Sequence, residues 1–336
     1  MAIHVHLAAL LLLATLLLFA QTTSDRAQTL LGQGWGVDHV GVGVRDLAEA
    51  QHGYEQLRFK VGKGGHFPGG ISNSIVSLQN KTYLELLSVS GNTPITQSDA
   101  SYIADFVKKH EGAMFLGVNV SSAKAAADYL KARNFDVNGP NPGSIMKEGE
   151  TTPPPPMWYR VSTADKPAAG KESLTLPIFL IEYVYAGWGE KSRAEGLMEH
   201  PNAARCIHAV WFAVRDAEAQ SRTLGDAGLV VGESREAKFL GAHGREVRAG
   251  QGVLVLLQSS DKNGLLAKYL SDHDEGTQGI IGLSIEVADL AKARQLAESS
   301  TGRKLETYKG SYGPSFLLPP EVTHGVWMEM FQPAGH

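Results

Sequence analysis

The chain has 336 residues, 43 % of them hydrophobic and 20 % charged, which supplies apolar material for a sizeable core and excludes a disordered chain. Its 31 basic against 35 acidic side chains leave a net charge of −4, with no basic excess to hold nucleic acid or an anionic membrane. The length fits two domains or one duplicated domain, at roughly 100–200 residues each, and excludes a single small module.

Residues 7–20 form an uncharged apolar run, shorter than the roughly 20 residues that a membrane span needs. The run reads as the core of a signal peptide covering residues 1–20, with Leu18 and Ala20 at positions −3 and −1 of the cleavage site, although His4 and His6 stand where Lys or Arg is usual. This reading places the mature protein in a secreted or periplasmic setting, free of the membrane once the signal is removed. The single cysteine, Cys206, excludes an internal disulfide and reads as a reduced, buried thiol rather than a nucleophile.

The remainder repeats one β-α-β-β-β unit four times, the signature of duplication. The first unit opens on the extended run Gly36-Val37-Asp38-His39-Val40, continues in a helix over 46–57 with Asp46 as N-cap, and closes with extended runs at 59–62, 72–78 and 82–89. The second has a strand from Met114, an Ala-rich helix over 122–133 and strands at 157–162 and 177–184. The third has a strand from Cys206, a helix over 216–228 and strands at 246–249 and 253–258. The fourth has a strand from Gly279, a helix over 289–299 and strands at 315–318 and 325–332. Two pairs of units, 34–186 and 205–334, are joined by the Gly- and charge-bearing segment 187–204. Residues 138–156 carry Gly-Pro-Asn-Pro-Gly and then four prolines, and are expected to form a stiff surface loop outside any ladder.

This order, with Asp38-His39-Val40 ahead of Asp46-Leu47, Gly64-Gly65-His66-Phe67-Pro68 with Asn73, Tyr83-Leu84-Glu85-Leu86-Leu87 and Leu176-Pro177-Ile178-Phe179-Leu180-Ile181-Glu182, resembles the vicinal oxygen chelate superfamily, and the first half resembles its glyoxalase-like branch. The resemblance implies an α+β fold in which four βαβββ units pair into two glyoxalase/dioxygenase-like domains, the second divergent. It also implies a divalent metal ion on the concave face of the first cup, held by His39, Glu85 and Glu182, because imidazole and carboxylates supply N/O donors without thiolates. The fourth family position falls on Phe115, which holds no metal.

Strict strand alternation puts Val37, His39, Gly41 and Gly43 on one face and Val40, Val42 and Val44 on the other, with the glycines leaving room for a ligand. Glu85, between apolar neighbours, needs a partner, either a metal or a hydrogen bond from Lys81 or an adjacent strand. Glu182 doubles as a base, and His66, in a turn-rich loop, is a candidate for substrate contact or proton transfer. Asn73, Trp158 and Arg160 are further candidates for substrate contact.

In the second pair the corresponding positions are Ala209, Val255, Gly282 and Glu329, which leaves no duplicate site. His208 reads as core, and His243, His273 and His324 as exposed turn residues. No dinucleotide fingerprint, P-loop, zincin or nucleophile-elbow motif is present. The expected function is that of an exported glyoxalase-like protein whose partner is a small oxygenated organic molecule, acting as a metal-dependent lyase or isomerase. The alternatives are sequestration of a ligand without chemistry and an extradiol-type dioxygenase.

Overall fold

The computed structural model describes residues 30–67, 69–89, 98–145, 152, 154–185, 187, 189–272 and 278–334. The signal-peptide segment, His273, Pro153 and much of the insert after residue 145 lie outside them. Four units appear in chain order. The first runs β1 (Gly36–Gly43), α1 (Leu47–Gln56), β2 (Gly62–Phe67), β3 (Ile71–Ser77) and β4 (Tyr83–Val89). After α2 (Ser98–Lys109) comes the second, β5 (Gly112–Asn119), α3 (Ala123–Ala132), β6 (Val137–Gly143), β7 (Trp158–Thr163) and β8 (Ile178–Tyr183). A short helix α4 (Glu190–Ala194) leads to the third, β9 (Ala204–Ala213), α5 (Ala217–Asp226), β10 (Val230–Ala237), β11 (Ala242–Ala249) and β12 (Gly252–Ser259). Past α6 (Leu265–Asp272), the fourth comprises β13 (Gly279–Val287), α7 (Leu290–Thr301), β14 (Thr307–Lys309), β15 (Pro314–Leu318) and β16 (Trp327–Phe331).

Each pair of units makes one curled eight-stranded sheet, in the orders β2-β3-β4-β1-β5-β8-β7-β6 and β10-β11-β12-β9-β13-β16-β15-β14. Within a unit the first and last strands run parallel, and the two first strands of a pair meet antiparallel at the centre. The central strands of a pair are therefore related by a pseudo-twofold. The helices start where a side chain satisfies the free N–H groups of the first turn. Asp46 accepts from Ala48 N and Glu49 N, Ser122 from Ala125 N, Asp216 from Ala219 N and Asp289 from Lys292 N. The apolar faces that the sheets turn toward α1, α3, α5 and α7 form one continuous core shared by both domains, while the concave faces carry smaller separate clusters.

Two local expectations are corrected. Residues 137–143 are a strand, not a loop, because β6 is an edge that pairs with β7 alone and breaks register between Asn138 and Asn141. An edge with an irregularity tolerates Pro140 and Pro142. The segment 187–204 that joins the two pairs carries α4 and is anchored to the first domain: Lys60 Nζ donates to Gly196 O, Ser77 Oγ to Ser192 Oγ and Asn202 Nδ2 to Leu57 O. His324 is largely buried, 2.9 Å from Glu111 across the domain boundary.

Candidate functional site

The concave face of the first sheet encloses a cavity of about 740 Å3 with His39, Tyr83 and Glu85 in its wall. His39 reaches it through a β-bulge. The β1–β5 register runs Val37↔Val118 and then His39↔Gly117, so Asp38 is the extra residue. Bulges of this kind re-aim side chains. Val37 consequently joins Val40 and Val42 in the helix-side core, contrary to strict alternation, and Asp38 lies beside His39.

Asp38 is fully buried and His39 is 3 % exposed. The His39 Nδ1–H donates to Asp38 Oδ1 at 2.7 Å, a tautomer assigned from its carboxylate partner. Tyr183 Oη donates to the same oxygen at 2.7 Å and lies 3.0 Å from Tyr83 Oη. Burial first, and the Asp38 charge second, push both phenols well above the ordinary tyrosine range, so they remain protonated donors. Asp38 Oδ2 has no hydrogen-bond partner among the described residues.

The other ring nitrogen, His39 Nε2, is 3.8 Å from Glu85 Oε2. That is too long for a hydrogen bond, and in this tautomer both atoms are acceptors. The second Glu85 oxygen accepts from Asn73 Nδ2 at 2.6 Å, and Asn73 Oδ1 in turn accepts from Gly65 N. The partner that Glu85 requires thus comes from the adjacent strand β3.

The pseudo-twofold tests whether these residues suit a divalent ion. His39 and Gly41 of β1 register with Tyr83 and Glu85 of β4, and in the second unit Gly117 of β5 registers with Phe179 of β8. The equivalents of His39 and Glu85 are therefore Phe115 and Phe179. Both rings pack edge-on to His39, at 5.9 and 5.5 Å, while Tyr83 stacks on it at 4.5 Å.

Glu182 stands three residues beyond Phe179, an odd step that turns it to the opposite face. There its Oε2 accepts from Ala123 N at 2.7 Å, at the start of α3. The three-ligand set His39, Glu85 and Glu182 is not assembled, and the described residues contain no group of three His, Cys, Asp or Glu side chains placed for a metal ion. The donors do not fit the group.

The space beside His39 is shaped by glycines, as expected, but aromatic rings fill part of it. A Cβ on Gly117 would stand 2.4 Å from the His39 ring, and one on Gly41 would stand 2.2 Å from the Phe115 ring. Asn73, Trp158 and Arg160 all line the cavity. Arg160 pairs with Asp99 at 2.7 Å and lies over Phe179, and Trp158 packs against Phe67.

His66 is on β2, exposed, and bonded through Nδ1 to Ser72 Oγ. It is not among the residues lining the cavity. Sequence reasoning missed Asp38, whose signal was its place directly before His39, and α2, whose Tyr102 and Ile103 also line the cavity. The spacing of Ala100, Ile103, Ala104 and Val107 carried the helical signal.

In the second cup Trp211, Val255 and Leu257 form an apolar cluster on which Tyr312 and Trp327 pack. Ala209, Val255 and Gly282 occupy three of its equivalent positions, and Glu329, the fourth, accepts from Ser284 Oγ and Tyr308 Oη. Arg235 and Tyr312 hold the buried Glu246, and His208 packs on Tyr312 and Phe331.

Among curated proteins none matches the sequence. A hypothetical protein from Staphylococcus aureus is 10 % identical, with a TM-score of 0.58 over 88 % of this chain and 98 % of that one. A mutant of 4-hydroxymandelate synthase from Streptomyces coelicolor is 13 % identical, with a TM-score of 0.59 over 90 % and 93 %. A fusion of a xylose isomerase-like TIM barrel with 4-hydroxyphenylpyruvate dioxygenase is 13 % identical, with a TM-score of 0.54 over 90 % of this chain and 49 % of that one. At these identities the likeness is one of fold. The profile of the glyoxalase-like domain matches residues 37–229, over half of the chain. With its paired βαβββ cups, the chain belongs to the glyoxalase-like domain family, in the vicinal oxygen chelate superfamily.

Proposed function

We propose that the first cup binds an oxygenated organic molecule and moves a proton on it, an isomerase- or lyase-type reaction in which His39 is the base. The observation that carries this reading is the pair of proton acceptors, His39 Nε2 and Glu85 Oε2, facing one another at 3.8 Å in the wall of the cavity. A C–H or O–H of a ligand set over the pair, on the cavity side, comes within reach of two bases, one oriented by Asp38 and one by Asn73. Positioned bases of this kind contribute about 10²–10⁴-fold in rate. Low-dielectric walls strengthen the Asp38 charge toward a developing imidazolium.

The test is deuterium exchange at C–H groups adjacent to carbonyls in a panel of hydroxy- and oxo-carbonyl compounds, followed by proton NMR. Exchange above buffer that falls at least about 100-fold in His39→Asn is expected. Equal exchange in both proteins, or none across the panel, overturns the reading. The apolar walls, including Phe67, Ile71, Leu87, Phe115 and Ile181, favour a second reading, ligand sequestration without chemistry. Binding that persists in His39→Asn with no exchange in either protein would establish it. A ring-cleaving dioxygenase needs metal donors where Phe115 and Phe179 stand. The proposal also places the protein outside the cytoplasm, on the strength of the apolar run at 7–20. A mature N-terminus at Gln21 is the expected result of N-terminal sequencing.

A further inference from the structure

The cavity wall carries unlike charges in unlike places. Among the described residues its acidic members, Glu85 and Asp99, are both engaged: Glu85 faces His39 and accepts from Asn73, and Asp99 is paired with Arg160. Three lysines, Lys63, Lys81 and Lys191, also line it and are exposed. Lys81 lies 5.1 Å over the Trp35 ring, and Lys191 stands 4.0 Å from the exposed Glu195 of its own helix turn. A protein of net charge −4 thus gathers ammonium groups at the border of this apolar hollow. Tyr102 and Tyr185, which line the same hollow, are 51 % and 58 % exposed, so aromatic surface continues outward at its border.

The size adds a constraint. About 740 Å3 lies within the roughly 300–1,000 Å3 of sites that enclose drug-sized ligands. A three-carbon compound would leave most of these apolar walls facing water.

We propose that the ligand is an amphiphilic organic anion. Its oxygenated group lies at His39 and Glu85, its apolar body lies along the walls near Trp158 and Phe67, and its carboxylate, sulfonate or phosphate is held by the lysines at the border. The position of the oxygenated group rests on the proton-transfer reading; the apolar body and the anionic end do not.

Calorimetry on the full chain with decanoate and methyl decanoate tests the charge with a common apolar body. Decanoate is expected to bind at least about tenfold more tightly in low salt, with the difference collapsing near 0.5 M salt, where the screening length is only a few ångströms. The Lys63→Glu, Lys81→Glu, Lys191→Glu triple variant is expected to lose at least about tenfold toward decanoate and to hold methyl decanoate within about twofold. Equal affinity for acid and ester, an unchanged decanoate affinity in the triple variant, or no binding of either probe at millimolar concentration overturns the proposal. The salt series on the unmodified chain reads the same property without relying on the variant. His39→Asn keeps the two readings apart. Failure of the proton-transfer reading leaves decanoate binding and its lysine dependence intact, whereas failure of the anion reading leaves His39-dependent exchange in place.

Discussion

In the proposed proton transfer, Asp38 is the residue that orients the base. It holds one nitrogen of His39, accepts from Tyr183 and keeps an oxygen without a partner among the described residues, all at full burial. Asp38→Asn keeps the shape and removes the charge, and it leaves an amide that also admits the wrong tautomer of His39. We expect exchange activity to fall by at least about 100-fold, with the thermal midpoint changed far less than the rate. Activity near that of the parent would show that the bulged aspartate serves packing alone. Phe115 and Phe179 supply the complementary prediction. They stand where the pseudo-twofold would place a second histidine and a second glutamate, so the Phe115→His, Phe179→Glu double variant should bind one divalent ion by calorimetry. The parent chain should bind none and be indifferent to chelator. A stoichiometric ion on the parent would overturn this reading of the two rings.

At the scale of elements, β1 shows how one inserted residue builds a site. With the bulge at Asp38, Val37 stays in the core and two polar side chains share the cup; with strict alternation Asp38 would face α1. β8 shows the reverse case, in which regular alternation carries Glu182 away from the cup to the first turn of α3, where a carboxylate meets the free N–H groups and the positive end of the helix. Glu182→Gln is therefore expected to cost about 0.3–1 kcal/mol of stability and to leave exchange unchanged. A loss of activity without a loss of stability would return Glu182 to the chemistry.

For the whole molecule, the domains are bound through a common core and through polar contacts that titrate. His200 is buried, accepts from Lys60 N and donates to Ser77 O, and burial lowers its pKa from 6.5 to about 4. As pH falls below 6.5, the unfolded chain takes up a proton that the folded one refuses until about pH 4. Stability is therefore fully present above about 6.5 and is lost progressively through that window, by up to about 3 kcal/mol. Urea midpoints at pH 4.5 and 7.5 should show the difference, and His200→Gln should flatten it. An equal slope in the variant would assign the effect elsewhere. Burial, followed by the nearby Glu286, pushes the Cys206 thiol up to about 12, so it stays protonated and unreactive at neutral pH.

The four units, their Asp and Ser caps, the pairing into two sheets and the place of His39 and Glu85 on the first and last strands of one unit were legible in the sequence, because periodicity, turn chemistry and helix capping act over a few positions of chain. Which side chains share a face was not. A single bulge at Asp38 and a three-residue offset at Glu182 reverse the direction of side chains in a structure whose period is two. Such shifts are set by register between strands about 80 residues apart, as at His39 and Gly117. The two phenylalanines opposite His39 became equivalent to donor positions only when the sheet closed around its pseudo-twofold, and the edge strand through Pro140 formed because one neighbour asked nothing of its other side. Local chemistry determined the elements, and long-range register decided which of their atoms meet.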